Sequence, residues 1–348
     1  MTCGNKIEFL IDSVLAWYDR NKRDLPWRIN NEPYNVWVSE IMLQQTRIPS
    51  VVDRYVSFIS EYPDLEALAN SVDEHLMKCG EGVGYYSRAT NMKKAAHMIV
   101  SDFGGRFPTD YEDLVRLPGI GDYTANAICA ISYNQNRIAV DGNVLRVVSR
   151  YLPVYEDVSK RTTKRLISEM ITPYINDCAG SLTQAVMELG EIICLPNGEP
   201  KCSECPLFEE CFAYKNSEVE LLPVKKKTSS KTIKDVTVFI IKREDGKYGI
   251  RKRPNKGLLA NLWEFPNCEN RIESDSVYDY LLNNCHISPT GMQDIREDKH
   301  IFTHLVWNIS TYYLTCNSGM TGNLVWADRK ELSTKYALPT AFIKLMQE

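Results

Sequence analysis

Four of the chain's eleven cysteines stand inside one eighteen-residue stretch, CLPNGEPKCSECPLFEEC, at Cys194, Cys202, Cys205 and Cys211. Thiolates that close together satisfy either a tetrahedral zinc or a cubane iron–sulfur cluster. Zinc is the generic expectation, yet the gaps of seven, two and five residues contain no pair of CxxC knuckles to strengthen it. A bound metal is expected, and its identity stays open on spacing alone. Cys3, Cys79, Cys129, Cys178, Cys268, Cys285 and Cys316 are scattered and read as small buried hydrophobes. In a chain expected to be intracellular, an odd total stays reduced except where metal is bound.

No run reaches the roughly 18 to 20 uninterrupted apolar residues of a membrane helix. The opening MTCGNKIEFLIDSVLAWYDRNKRDLPW has no compact apolar stretch before a small-residue cleavage site, so no signal peptide and no membrane partner are expected. At roughly 150 residues per domain, 348 residues suggest two. Over 1–215, apolar residues recur at three- and four-residue steps in IEFLIDSVLAWYDR, ALANSVDEHLMKC, RATNMKKAAHMIVSDF, ANAICAISYN and SLTQAVMELGEIIC, which predicts an all-α domain. NSEVELLPVKKKTSSKT is polar and lysine-rich and reads as a linker over 216–232. In 233–348, VTVFIIKREDGKYGIRKR predicts a hairpin turning at Asp245 and Gly246, TYYLTC and NLVWA predict strands, and SVYDYLLNNC and PTAFIKLMQ predict helices. This second domain is small and α+β.

Forty-one basic against forty-five acidic residues give 41 − 45 = −4, so bulk charge announces no nucleic-acid partner, and one must be held locally. KKKTSSKTIK and IKREDGKYGIRKRPNK concentrate positive charge, either as a track for a DNA backbone or as a solvated face. A local holder is offered by LPGIGDYTANAI, residues 117–128, between the helical segments YEDLVRL and TANAICAIS. Gly119 and Gly121 allow a tight turn with positive φ and bare amides ahead of a helix, an arrangement that grips a phosphate whatever the base. Such a helix-hairpin-helix competes with an ordinary glycine-capped helix pair.

Two carboxylates stand out. Glu40 sits among Val36, Trp37, Ile41 and Leu43, where desolvation would raise its pKa as suits a proton donor. Asp141, in AVDGNVLRVV, stands where an apolar stretch gives way to a helix whose N-terminus would favour the anion. Singly, each has a plain structural reading, a wet helix edge or an N-cap. As a pair in opposite environments they fit acid and anion in cleavage of a sugar–base bond.

LPWR at 25–28, PYNVWVSEIMLQQT at 33–46, GVGYYSRA at 82–89, LPGIGDYTA at 117–125, VDGNV at 140–144 and the four cysteines follow in an order that resembles the MutY-type adenine DNA glycosylases, within the helix-hairpin-helix superfamily that also holds endonuclease III. LLANLWEFP at 258–266 and IFTHL at 301–305 likewise resemble the Nudix-like C-terminal domain of that family, so the likeness runs through nearly the whole chain.

The resemblance implies excision of adenine mispaired with 8-oxoguanine or guanine in double-stranded DNA, after extrusion of the base at an unstacking cost of a few kcal/mol. It implies Glu40 as the acid that protonates adenine and then handles water, and Asp141 as the anion that stabilises the oxocarbenium-like sugar or bonds to it transiently. Tyr123 and Asn143 match positions that support this intermediate. Bifunctional relatives carry a Schiff-base lysine where Tyr123 stands, so a monofunctional enzyme is expected. Trp27, Arg28 and Gln184 match the adenine pocket, Gln45 and Tyr85 the side chains that enter the base stack, and Gln44 and Thr46 flank them. Phe302, Thr303 and His304 match a loop that senses 8-oxoguanine.

For the cysteines the resemblance favours a [4Fe–4S] cluster over zinc. The first gap is seven residues instead of the family's usual six, an addition expected to be absorbed at the proline- and glycine-containing turn. The cluster's expected role is structural, fixing a loop that holds lysines such as Lys201 near phosphates. Nudix hydrolysis is not expected, because after Gly257 come Glu264 and ENRIESDSVYDYL, without the clustered glutamates that hold magnesium. A monomer working on nucleoid DNA in a bacterial cytoplasm is expected. An endonuclease III-like glycosylase–lyase is opposed by Tyr123, and a catalytically silent lesion binder by the presence of both Glu40 and Asp141.

Overall fold

The computed structural model describes residues 2–79, 86–226, 231–302 and 304–346, so Tyr85 and Thr303 lie outside the described residues. The chain divides into two compact units, Met1–Asn70 with Asn91–Lys227, and Ser71–Thr90 with Thr228–Glu348.

The first unit is helical, as the periodicity predicts. Its helices are α1 (Cys3–Asn21), α2 (Pro33–Leu43), α3 (Val52–Glu61) and α4 (Leu65–Ala69). The predicted helix ALANSVDEHLMKC breaks after α4, and its second half, α5 (Asp73–Cys79), belongs to the other unit. The break falls at Asn70, which caps α4, so one continuous apolar text hides a change of packing partner. Helix α6 (Tyr86–Asp102) runs across the boundary, and α7 (Tyr111–Arg116), α8 (Asp122–Ile131), α9 (Gly142–Tyr151), α10 (Arg161–Ile171), α11 (Ala179–Ile192) and α12 (Phe212–Lys215) complete the helical unit.

Side-chain caps start several of these helices by satisfying amides that have no partner within the helix. Asp64 accepts from Ala67 N at 2.8 Å, Asp110 from Glu112 N at 2.8 Å and Asp141 from Val144 N at 2.8 Å. The core is the meeting of α1, α9 and α11, where Leu10, Val14, Val144, Val148, Leu182, Val186 and Leu189 are all within 1% of full burial. Helix α11 also packs on α8, and α8 on α2, which brings the ends of α2, α8 and α9 to one place.

The stretch read as a linker is not loose over its described part. Leu222 is buried and its carbonyl accepts from Arg150 Nε at 2.8 Å, while Val158 N donates to the Val224 carbonyl at 3.0 Å. A polar composition here conceals backbone hydrogen bonds that tie the segment to α9 and to the loop after it.

The second unit is built on a mixed seven-stranded sheet among the described residues, with β1 (Thr232–Arg243), β2 (Tyr248–Lys252), β3 (Trp263–Glu264), β4 (Asn267–Cys268), β5 (Gly291–Ile301), β6 (Leu305–Cys316) and β7 (Val325–Ala327). The order is β3-β2-β1-β6-β5, β4 pairing with β1 and β7 with β2; β1 and β6 run parallel in register from Thr232↔Leu305 to Arg243↔Cys316. The hairpin predicted at Asp245 and Gly246 is present between β1 and β2. Central β1 is buried on both faces, which is why its sequence does not alternate: Val236, Val238 and Ile240 face α14 (Arg329–Thr334) and α15 (Thr340–Ile343), and Phe239 and Ile241 face α13 (Val277–Cys285). Strand β5, GMQDIREDKHI, has no apolar alternation and is missed by sequence reading; it is the sheet's edge, where charged residues blunt unwanted pairing.

Residues 71–79 and 86–90 belong to this unit through side chains. Met77 and Tyr86 form a buried cluster with Leu262 and Ala337, Lys78 Nζ donates to the Leu332 and Tyr336 carbonyls at 3.2 and 3.1 Å, and Tyr86 Oη donates to the Leu338 carbonyl at 3.1 Å. Met77→Ala and Leu262→Ala are each expected to destabilise this unit by about 2–5 kcal/mol. In the double mutant the losses should depart from their sum by about 0.5–3 kcal/mol, read from denaturant titrations, whereas strict additivity would contradict the shared cluster.

Candidate active site

A cavity of about 920 Å³ opens in the helical unit, lined from α2, the segment following it, the α7–α8 turn, the N-terminus of α9, and α11. It gathers residues far apart in sequence: Trp27, Arg28, Glu40, Gln44, Gln45, Thr46, Gly119, Gly121, Tyr123, Asp141, Asn143 and Gln184 all line it. Phe302 and His304 belong to the second unit and are not among its lining residues; Phe302 packs edge-on against Trp307, and the His304 carbonyl accepts from Thr232 N at 3.2 Å.

Glu40 is 7% exposed, on the last turns of α2 with Val36, Trp37, Ile41 and Met42 buried around it. Burial pushes its carboxyl up to about 7; Asp141 adds to the rise, and the Tyr123 hydrogen bond and Arg28 oppose it. Tyr123 Oη donates to Glu40 Oε2 at 2.6 Å, with the Met187 sulfur at 3.9 Å on its other side. Burial, followed by the neighbouring charges of Glu40 and Asp141, holds the phenol well above the ordinary tyrosine range.

Asp141 is the N-cap of α9 and also accepts from Asn143 Nδ2 at 2.8 Å. Burial raises its carboxyl above the usual aspartate range, outweighing the Val144 amide at the helix N-terminus, the Asn143 contacts and Arg146, each of which favours the anion. Asn143 is itself held, its Oδ1 accepting from Arg146 Nη2 at 2.7 Å, while Arg146 also donates to the carbonyls of Gly190 at 2.8 Å and Cys194 at 2.6 Å.

The two glycines of the turn differ. Gly119 has φ +81, and a Cβ there would come within 2.8 Å of the Asn91 Cβ, so glycine is required twice over. Gly121 is extended at φ −96 with open space beside it, and caps α8 with no side chain, so the expectation of positive φ holds for only one of the pair. Gln45 occupies the left-handed region at φ +60, a strained setting for a non-glycine residue, just past the end of α2.

Sequence reading missed Glu188 and Arg23. Glu188 is 1% exposed and accepts from Arg23 Nε at 2.6 Å, from Arg23 Nη2 at 3.0 Å and from Arg28 Nη2 at 2.8 Å. Burial alone would raise its carboxyl, but the two arginines hold it below the ordinary glutamate range. The signal available was spacing: Glu188 lies four residues after Gln184, on the same face of α11, in an otherwise apolar segment.

Cys205 lies within electrostatic reach of Cys194, Cys202 and Cys211. Burial pushes the Cys205 thiol up to about 12, so thiolates there call for a compensating cation. Arg150 supplies part of it, Nη1 donating to Cys194 Sγ at 3.3 Å. Among the described residues no group of three or more His, Cys, Asp or Glu side chains is gathered as a single metal ion would hold them. In the second unit, Glu264 is buried and engaged by Arg251 at 2.9 Å, by Arg253 and by Asn267 Nδ2 at 2.7 Å.

A family model described as "HhH-GPD superfamily base excision DNA repair protein" matches residues 38–173, and one described as "NUDIX domain" matches 237–348. The helical unit is similar to the solved structure of a thermostable thymine-DNA glycosylase, at TM-score 0.56 and 25% identity over 62% of this chain and all of that one. Endonuclease III in a non-covalent DNA complex shares the fold, at TM-score 0.54 and 21% identity over 62% of this chain and 98% of that one. The scaffold is thus that of the helix-hairpin-helix base-excision class, followed by a Nudix-like unit. Within that class, the adenine DNA glycosylase of Buchnera aphidicola subsp. Schizaphis graminum is 32% identical over 96% of both chains, and the human adenine DNA glycosylase 29% identical over 96% of this chain and 73% of that one. The chain belongs to the adenine DNA glycosylase family. No helix among its described residues is long and apolar enough to cross a membrane.

Close approach of α11 to α9 sets the Asn143–Asp141 pair. A Cβ on Gly190 would fall 2.5 Å from the Asn143 Cβ and 3.1 Å from its Cα, atoms that cannot swing aside. Gly190→Ala is therefore expected to cost about 1–3 kcal/mol of stability. Displacing Asn143 should also slow adenine release by about 10²-fold. Thermal unfolding and a single-turnover excision assay check both, and a wild-type rate would show that Asn143 is not seated by this contact.

Proposed function

We propose that the chain is a monofunctional adenine DNA glycosylase acting on adenine opposite 8-oxoguanine or guanine in duplex DNA. The observation that carries the reading is a shielded carboxyl, Glu40, poised near neutrality in the same cavity as the helix-capping Asp141.

Extruded adenine would enter between Trp27, Arg28 and Gln184, with Arg28 held in place by Glu188. Glu40, protonated near neutral pH and hydrogen-bonded to Tyr123, would deliver its proton to the purine so that the base leaves neutral. Asp141, oriented by Val144 N and Asn143, would meet the positive charge developing on the sugar, which favours its anion at the moment it is needed. Water, activated by the now anionic Glu40, completes the reaction. Tyr123 offers no amine for a Schiff base, which supports cleavage of the base without cleavage of the strand.

Gln45 and Tyr85 are proposed to enter the stack opposite the extruded base, with Gln44 and Thr46 beside them on the DNA, and the strained Gln45 backbone fits a side chain held outward for that purpose. Gly119 and Gly121 present amides to a phosphate. Phe302, Thr303 and His304 are proposed as the 8-oxoguanine reader. Cys194, Cys202, Cys205 and Cys211 would hold a [4Fe–4S] cluster, whose contribution when bound is to cross-link the loop against Arg150 on α9. We place its work in a bacterial cytoplasm, as a monomer on nucleoid DNA.

On a duplex with adenine opposite 8-oxoguanine, strand breaks are expected only after alkali, and Glu40→Gln should lower the rate by about 10²–10⁴-fold with binding retained. Breaks without alkali would overturn the monofunctional reading, and tight binding with no excision would overturn the enzymatic one. The rate should fall as pH rises through about 7. Stability runs the same way: a carboxyl raised from 4.5 to about 7 binds its proton more tightly folded than unfolded, so stability is full below about 4.5 and declines up to about 7. Glu40→Gln should thus stabilise the protein above pH 7, by up to roughly 3 kcal/mol, and not below pH ~4.5. Purified protein should absorb near roughly 400 nm if the cluster is present and show no such band if the cysteines hold zinc.

A further inference from the structure

The cavity's cations fall into two groups. Arg23 and Arg28 are already committed, both hydrogen-bonded to the buried Glu188. Arg47 and Lys164 also line the cavity, yet both are exposed, and neither side chain has a hydrogen bond or ion pair among the described residues. They reach the rim from different elements: Arg47 from the segment after α2, two residues past the strained Gln45, and Lys164 from the first turn of α10. Lys164's place is locally unfavourable, since a cation near a helix's start opposes the macrodipole and α10 has no acid in its first turn to balance it. Local stability therefore does not account for it.

The floor of the cavity poses the complementary problem. Glu40 and Asp141 lie there, and Glu191 adds an exposed carboxylate to the wall. A nucleotide turned into this cavity brings the two phosphates that flank it, each a full negative charge, toward an acid-rich interior. Neutral amides at the α7–α8 turn can hold one phosphate but supply no net charge. We infer that Arg47 and Lys164 are the phosphate-binding pair of the rim, receiving the backbone on either side of the extruded nucleotide; this rests on the glycosylase reading above. Their separate elements let them engage two phosphates instead of one, and the Glu191 carboxylate repels the backbone from its own part of the wall. Because the contact forms only when a nucleotide is turned inward, it adds to lesion binding and not to general attraction for DNA.

The test is the salt dependence of binding by the full-length protein. Two duplexes are compared, one carrying a tetrahydrofuran abasic analogue opposite 8-oxoguanine and one undamaged. On the abasic duplex, Lys164→Gln and Arg47→Gln should each reduce the slope of log Kd against log salt concentration by about 0.9, and the double variant by about twice that. Lys164→Arg should restore the wild-type slope. On the undamaged duplex the slopes should be unchanged. Unaltered slopes on the abasic duplex would overturn the inference, and so would equal reductions on both duplexes, which would mark the two residues as general electrostatic attraction. Failure of the wild-type protein to prefer the abasic duplex would instead overturn the glycosylase reading, and this inference with it. Thermal unfolding of each variant identifies any change due to misfolding, and Arg47→Gln keeps the test decisive if Lys164→Gln does not fold.

Discussion

Everything in the helical unit turns on keeping one carboxyl group away from water while leaving it a hydrogen-bond partner. Glu40 meets both conditions because α2 is apolar all round at its end and because α8 delivers the Tyr123 hydroxyl from the far side. The cost of that burial is what lifts the group toward neutrality, so the packing of Trp37 and Ile41 is as much a part of its acidity as any charged neighbour. Asp141 lies close enough to add to the effect, and burial raises its own carboxyl as well, against the Val144 amide, the Asn143 contacts and Arg146. The Glu188–Arg23–Arg28 set shows a different outcome for a buried acid: paired with two cations, it stays ionised and serves to fix the wall.

Much of this was readable in the chain, for reasons that differ by residue. Glu40 and Asp141 announced themselves because an acid in an apolar helix and an aspartate ahead of a helix are both anomalies visible in a few residues of text. Their roles, however, came from likeness to a family and not from any local pattern. Glu188 carried the same local anomaly as Glu40 and was passed over, because its meaning lies in two arginines more than a hundred and fifty positions away. Gly190 was invisible for a related reason: a glycine within a helix looks like a weak position until the neighbouring Asn143 is seen to fill the space. Strand β5 was hidden by its position at an edge, where composition is governed by solvent and not by a core.

In the second unit the β1–β2 hairpin, β6, β7, α13 and α15 were legible in apolar runs and turn residues, yet the fate of Glu264 was not. Its carboxylate is closed in by Arg251, Arg253 and Asn267, so the acid serves as the centre of a hydrogen-bonded knot under the sheet. A carboxylate so engaged keeps its charge satisfied internally.

The assignment of residues 71–90 to the second unit has a bearing on how the protein is made. Synthesis proceeds from the N-terminus, so Met77 and Tyr86 leave the ribosome long before Leu262 and Ala337 exist for them to pack against. The helical unit must assemble around an insertion whose apolar face is still uncovered, and that face is exposed to other chains for as long as translation of the remaining residues takes. Contacts of such wide sequence separation are slow to close, so the apolar face of this short insertion is buried only after the second unit has been made.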